Sequence, residues 1–158
     1  MRTSQNGFTL IEILISVGLL AGLAALVLVA VNPARQFAQM RNTQRTSDLN
    51  GILSAIGQRM VEHKGQFDCG TVTFPTDTAV SATAGKTIGS GSGDVDLRSC
   101  LVPMYISELP VDPVSGSSYS GSSYQTGYRI YQDANSRLTV FAPTLETSVG
   151  NSIIALTR

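Results

Sequence analysis

Residues 8–31 form a run in which Glu12 is the single charged side chain. As a helix rising about 1.5 Å per residue, that stretch covers roughly 36 Å, enough to cross a hydrocarbon layer of about 30 Å. A chain of 158 residues has room for one modest core. Such a core does not require so long an apolar stretch, so this segment sets the terms for everything after it. Residues 1–7 carry Arg2 and no acid. A positive flank of this kind keeps the start cytoplasmic and sends the rest of the chain outward.

A cleaved secretory signal would have an apolar region of only about 7–15 residues followed by a small-x-small site. This run is longer, and an acid stands near its beginning. A plain signal anchor fits the length but leaves Glu12 unexplained. An isolated carboxylate at mid-membrane costs roughly 3 kcal/mol or more, which makes it a functional suspect.

Gly7-Phe8-Thr9-Leu10-Ile11-Glu12 resembles the G-F-T-L-x-E signature of type IV prepilins and type II secretion pseudopilins. The resemblance covers the junction, the acid and the apolar run behind it. It implies that a prepilin peptidase cuts between Gly7 and Phe8 and that the new N-terminus, Phe8, is N-methylated. Cleavage creates an α-amino group with a reference pKa near 8, and methylation keeps its charge. Within one helix Glu12 lies about one turn beyond Phe8. A neighbouring subunit displaced along a filament axis would present its Phe8 ammonium to Glu12. That pairing would compensate two costly charges and fix the axial register of assembly. Loss of residues 1–7 removes Arg2 and leaves a nearly neutral chain, which suits close self-packing.

The resemblance also implies a fold and partners. The expected fold is α+β, the pilin "lollipop": a long N-terminal helix, half membrane-spanning and half amphipathic, packed on a small antiparallel sheet. Expected partners are other copies of the chain or minor pilins, the prepilin peptidase, and an inner-membrane assembly platform with its ATPase. The precursor would sit in the cytoplasmic membrane with its head outside the cytoplasm. Assembly would move it to a surface pilus, or to a periplasmic filament if it is a pseudopilin. The organisation expected is a leader at 1–7, an apolar helix at 8–31, an amphipathic continuation at 32–64 and a β-rich head at 65–158.

Pro33 interrupts the helical pattern. It either starts a second helix or serves, with Gly18 and Gly22, as a point of helix flexibility. Related pilins tolerate such residues there. Leu49, Ile52, Leu53, Ile56 and Met60 recur at three- and four-residue intervals, giving one apolar stripe. Arg41, Arg45, Asp48 and Arg59 are expected on more polar faces, and Gly65 is a helix stop. A single helix over residues 8–63 would be about 84 Å long, a length that serves a filament better than a compact domain.

Beyond Gly65 the pattern predicts a strand at 71–74, a flexible Gly/Ser loop at 85–93 and an apolar segment at 97–106 with a helical turn before Pro103. A hairpin is expected around Asp133-Ala134-Asn135-Ser136, a loop at 115–124 and a terminal strand at 152–156. Cys69 and Cys100 are the two cysteines. In a compartment outside the cytoplasm such a pair favours a disulfide, worth roughly 3–4 kcal/mol on chain-entropy grounds. No paired Cys or His spacing points to a metal.

Leu109-Pro110-Val111-Asp112-Pro113-Val114 looks like the L-P-x-D-P-W segment of major pseudopilins and the L-P-x-D-P of many small pilins, with Val114 in place of the tryptophan. In the pseudopilins a nearby loop binds calcium. Here Asp112 and Asp133 are the acids between 109 and 145, too few for the six to eight oxygens calcium needs. Asp112 reads as a turn residue, and no cofactor is expected, with calcium in the head loop as the alternative.

Charge is balanced, with 11 basic and 11 acidic residues at 14% charged. The basic residues after position 65 are Lys86, Arg98, Arg129, Arg137 and Arg158, a thin basis for binding nucleic acid. There is no G-x-S-x-G, phosphate loop or zinc signature. The lone histidine, His63, stands beside Lys64 at a helix end, while Asp94 and Asp96 fall on a polar loop. The sequence therefore points away from an enzyme. A type IV pilus subunit is the leading expectation, a type II pseudopilin the second. A monomeric membrane-anchored binding domain is the third.

Overall fold

A computed structural model describes residues 7–70, 72–115, 117–120, 123–144, 146, 148–150 and 152–158, without the side chains of 117–120. The chain divides into two compact units, Met1–Phe37 and Ala38–Arg158. The first holds helix α1 (Leu10–Val31) and the start of α2 (Pro33–Glu62). Apolar residues dominate α1, with a mean hydropathy of 2.8, and none of its residues is buried. It is long and apolar enough to cross a membrane, as an anchor or as a signal segment. Between the helices Asn32 takes a left-handed conformation (φ 45°) that closes α1. Its side-chain oxygen accepts from the Arg35 N–H at 3.3 Å, capping a helix whose first residue is Pro33. Proline suits that position, where its missing N–H has no intrahelical partner to lose.

The second unit is built on the rest of α2. Leu49, Ile52, Leu53 and Ile56 are buried, and Met60 packs against the same cluster. The stripe is therefore the face turned to the core. Lys64 and Gly65 both take positive φ, and the Gly65 N–H returns to the Met60 carbonyl at 2.8 Å, ending the helix.

Against that face lies an antiparallel sheet of β1 (Lys86–Gly89), β3 (Ser123–Gln132), β4 (Leu138–Ala142) and β5 (Ile154–Thr157), in that spatial order. A further strand, β2 (Ser117–Ser120), pairs with the beginning of β3. The result is an α+β arrangement with helix packed on sheet. Ile88, Tyr128, Ile130, Leu138, Val140 and Ala142 supply the inner face. The hairpin turn is fixed by Asp133, whose carboxylate accepts from the backbone of Asn135 and Arg137. The short helix α3 (Arg98–Leu101) buries Leu101 and precedes a cis Val102–Pro103 bond. Cys69 and Cys100 are joined, with Cα atoms 5.7 Å apart. Arg59 bonds the carbonyls of Asp68 (2.6 Å) and Cys100 (3.1 Å), so one guanidinium holds both sides of the bridge to α2.

Three local expectations change. Residues 72–74 form no strand, and Thr71 lies outside the described residues. Val72 and Phe74 pack against the core instead, Phe74 against Phe67 with ring centroids 5.0 Å apart. Pairing is left to the Pro75 carbonyl and the Asp77 N–H, which both bond Gln132. The 85–93 segment is not all loop, because Lys86–Gly89 pairs with β3 and buries Ile88. A Cβ at Gly89 would stand 2.9 Å from the Tyr124 carbonyl oxygen, so this strand end admits only glycine. Within 115–124, Ser117–Ser120 is strand rather than loop. Gly116, Gly121 and Ser122 lie outside the described residues.

Candidate functional site

Two places concentrate charge in unusual settings. The first is the start of α1. Gly7 and Phe8 precede the helix, Phe8 is 79% exposed, and a Cβ on Gly7 would meet nothing. Both residues are thus exposed. Thr9 caps the helix, its hydroxyl accepting from the Glu12 N–H at 3.3 Å. Glu12 occupies the first turn, where a carboxylate suits the positive end of the helix. Its carbonyl accepts from Ser16 Oγ at 2.7 Å. Its carboxylate is exposed and, among the described residues, has no partner. The leucines, isoleucines and valines around it are all about half or more exposed. This places an unpaired acid on an apolar helix that buries none of its residues.

The second place is a cluster in the other unit. Arg45 is fully buried, and its Nε donates to Asp112 Oδ2 at 2.6 Å. Nη2 reaches Asp112 Oδ1 at 3.4 Å, while Nη1 donates to Asn42 Oδ1 at 3.0 Å and Glu146 Oε1 at 3.1 Å. Glu146 also takes a two-pronged contact from Arg41, at 2.6 and 2.8 Å. Asp112 Oδ1 further accepts from the N–H groups of Val114 and Ser115 and from Ser115 Oγ. Burial pushes the Asp112 carboxyl up. Arg45 and the Ser115 and Val114 donors outweigh that and hold it below the usual carboxylate range. Glu146 is held low by Arg41 first, and then by Arg45. Nearby, Asp48 accepts from the Tyr128 hydroxyl at 2.7 Å. Burial raises the carboxyl of Asp48, and burial together with Asp48 raises the phenol of Tyr128.

Asp112 is therefore more than a turn residue between prolines, because it anchors that turn to α2 through a buried ion pair. Arg45 corrects the expectation of a polar face. Its spacing of four from Leu49 puts it on the apolar stripe, a signal the pattern did contain. Glu146, a hundred residues away in sequence, carried no such signal. Two arginines and two carboxylates satisfy one another here, which makes the cluster a fastening rather than a reaction centre.

Of the other expected residues, Asp96 accepts from the Tyr124 hydroxyl and the Arg98 N–H. Asp94 bonds the Gly91 N–H and the Gln125 amide, so both acids brace their loop instead of standing free in solvent. His63 lies 3.7 Å from Asp68 at the end of α2. Among the described residues no three His, Cys, Asp or Glu side chains gather as metal ligands. Compared with protein-family models, curated proteins and solved structures, the chain matches none significantly.

Proposed function

We propose that the chain is a structural subunit of a type IV pilus or related helical filament. It is processed after Gly7 by a prepilin peptidase and polymerises through its N-terminal helix. One observation carries this reading: α1 starts three residues beyond Gly7, holds an unpaired Glu12 in its first turn, and buries none of its residues. Lipid covers such a helix before assembly, and other copies of it cover the helix afterwards. In the filament the Phe8 ammonium of one subunit neutralises Glu12 of the next, so that neither charge is left bare in an apolar core. N-methylation of Phe8 preserves that ammonium.

Isolation of surface filaments followed by N-terminal sequencing of the subunit tests the reading. The expected first residue is a methylated Phe8; an N-terminus at Met1, or far from Phe8, overturns it. Glu12→Gln is expected to insert into the membrane normally and to yield few filaments.

A second reading, a type II secretion pseudopilin, rests on the same N-terminal motif and on the L-P-x-D-P segment, which small pilins share. Under it the same processing gives a short periplasmic filament. A chain that stays monomeric in the membrane after cleavage would instead fit an anchored binding domain.

A further inference from the structure

The sheet's two sides are finished differently. Beyond β1, the Gly89 N–H bonds the Val95 carbonyl at 3.2 Å and the Val95 N–H bonds Thr87 at 2.8 Å. Further along, Gln132 is covered by Pro75 and Asp77. That side is closed within the chain. On the other side β5 is the last strand. Leu138 and Arg158 exchange both backbone hydrogen bonds, at 2.8 and 2.9 Å. Antiparallel pairs alternate, so Val140↔Leu156 and Ala142↔Ile154 are also bonded pairs, while Thr139↔Thr157 and Phe141↔Ala155 are not. The N–H and carbonyl groups of Ala155 and Thr157 therefore point away from β4. Among the described residues nothing bonds them.

An open edge of this kind is normally blunted by a charge, a proline or a bulge. β5 is short, four residues followed by Arg158, but it holds no charge, proline or bulge of its own, and its register with β4 is unbroken over four pairs. On one face Ile154 and Leu156 lean, half covered, on the main core; on the other Ala155, with Ile153, leans on Phe141 and Tyr131, beside an exposed Thr157 whose hydroxyl meets that of Thr139 at 2.8 Å.

We infer that β5 is an interaction edge that pairs antiparallel with β5 of a second copy, about a two-fold axis at Leu156. The strand is its own complement in that register. Ala155 of each copy faces Thr157 of the other, and the outward groups of both residues are satisfied by four hydrogen bonds. Leu156 meets Leu156 of the second copy. Arg158 falls opposite Ile154 of the second copy, so no like charges meet. The β1 side, where Val95, Pro75 and Asp77 supply the backbone partners, offers β5 no matching edge.

A contact this small is weak for one pair and gains strength when many copies are displayed together. The inference does not rest on the filament reading. Within a filament, though, subunits repeat by a screw and meet through unlike surfaces, so a two-fold pairing would join heads of separate filaments into bundles.

Cross-linking of the full-length chain in detergent tests the register. Chains carrying Ala155→Cys are mixed with chains carrying Thr157→Cys and mildly oxidised. The mixture is expected to yield roughly tenfold more dimer than either variant alone, because only the mixed pair brings the two sulfurs within disulfide reach. Association through α1 alone would place the heads at random and give equal yields in all three samples. Equal yields, or no dimer in the mixture, would overturn the pairing. Thr157→Pro removes an outward N–H while sparing the bonds to β4, so it is expected to abolish head-to-head association. The mixed cross-link stands alone as the test if that variant does not fold.

Discussion

Helices α1 and α2 follow one another in sequence and solve opposite problems. In α1 all 22 residues lie uncovered, although nearly all are apolar. In α2, 30 residues long, a narrow stripe is buried and most of the rest is polar, with Phe37, Met40 and Val61 exposed. The apolar surface of α2 is matched inside the chain by the sheet and the cysteine-bridged segment. In α1 no residue is buried. The two helices also treat charge differently. Glu12 is a carboxylate without a partner among the described residues, whereas Arg45 is a buried cation with all three guanidinium nitrogens engaged. A charge completed within the chain fastens a fold. A charge left incomplete on an apolar helix is available to fasten an assembly.

The largest effect is expected where α2 is most tightly committed. Arg45→Met removes the cation and leaves Asp112 buried without compensation. Breaking one side of such a pair typically costs about 3–5 kcal/mol. Chemical unfolding of the sheet-bearing unit, followed by the near-ultraviolet dichroism of its tyrosines, should show a loss of that order with membrane insertion unchanged. The double variant Arg45→Met/Asp112→Leu should recover much of it, since an apolar pair of similar volume often replaces a buried ion pair at little cost. If the single variant is as stable as the parent, the ion pair is not what fastens the 109–115 turn to α2.

How far the sequence revealed this contrast depends on the range of each interaction. The apolar run, the α2 stripe, the 133–136 hairpin and the turn before Pro103 are local patterns, and each has its counterpart in the structure. The disulfide needed only two cysteines and a compartment. Missed features depended on distant partners. The short β1 is specified by Ile88 entering the core and by the close approach of Gly89 to Tyr124, neither visible in a Gly/Ser-rich stretch. Arg45 was readable by spacing but masked by its charge. Its partners Asp112 and Glu146 lie 67 and 101 residues away, and no periodicity joins them. At the α1 start the residues are legible one by one, and the filament role proposed for them involves molecules outside the chain.

A smaller effect follows from acid. Asp112 and Glu146 have folded pKa values below their unfolded ones, so the folded state binds fewer protons. Their stabilising contribution is complete above the ordinary carboxylate range, about pH 4, and fades as pH falls through the depressed folded values. Asp48 works in the opposite sense, because burial raises its carboxyl and its protonation favours folding. Asp77 and Asp133 are lowered as well, by backbone N–H donors, so four depressed carboxyls against the raised Asp48 predict a net loss of stability below about pH 4 in the sheet-bearing unit. Glu146→Gln should flatten that slope and cost roughly 1 kcal/mol at neutral pH, as expected for a partly exposed ion pair. A slope left unchanged by Glu146→Gln would place the acid response in other carboxylates.

The smallest expected effect tests the other half of the comparison. Leu19 and Leu20 in α1 are 64% and 66% exposed. Replacing both by alanine removes apolar surface that no part of the chain covers, and alanine is at least as good a helix former as leucine. The unfolding midpoint of the sheet-bearing unit should therefore shift by no more than about 0.5 kcal/mol in stability. The same change made at the buried Leu49 should cost about 2–5 kcal/mol. If the α1 pair proved as costly as Leu49, α1 would belong to the chain's own core, and its exposed apolar surface would no longer speak for a filament.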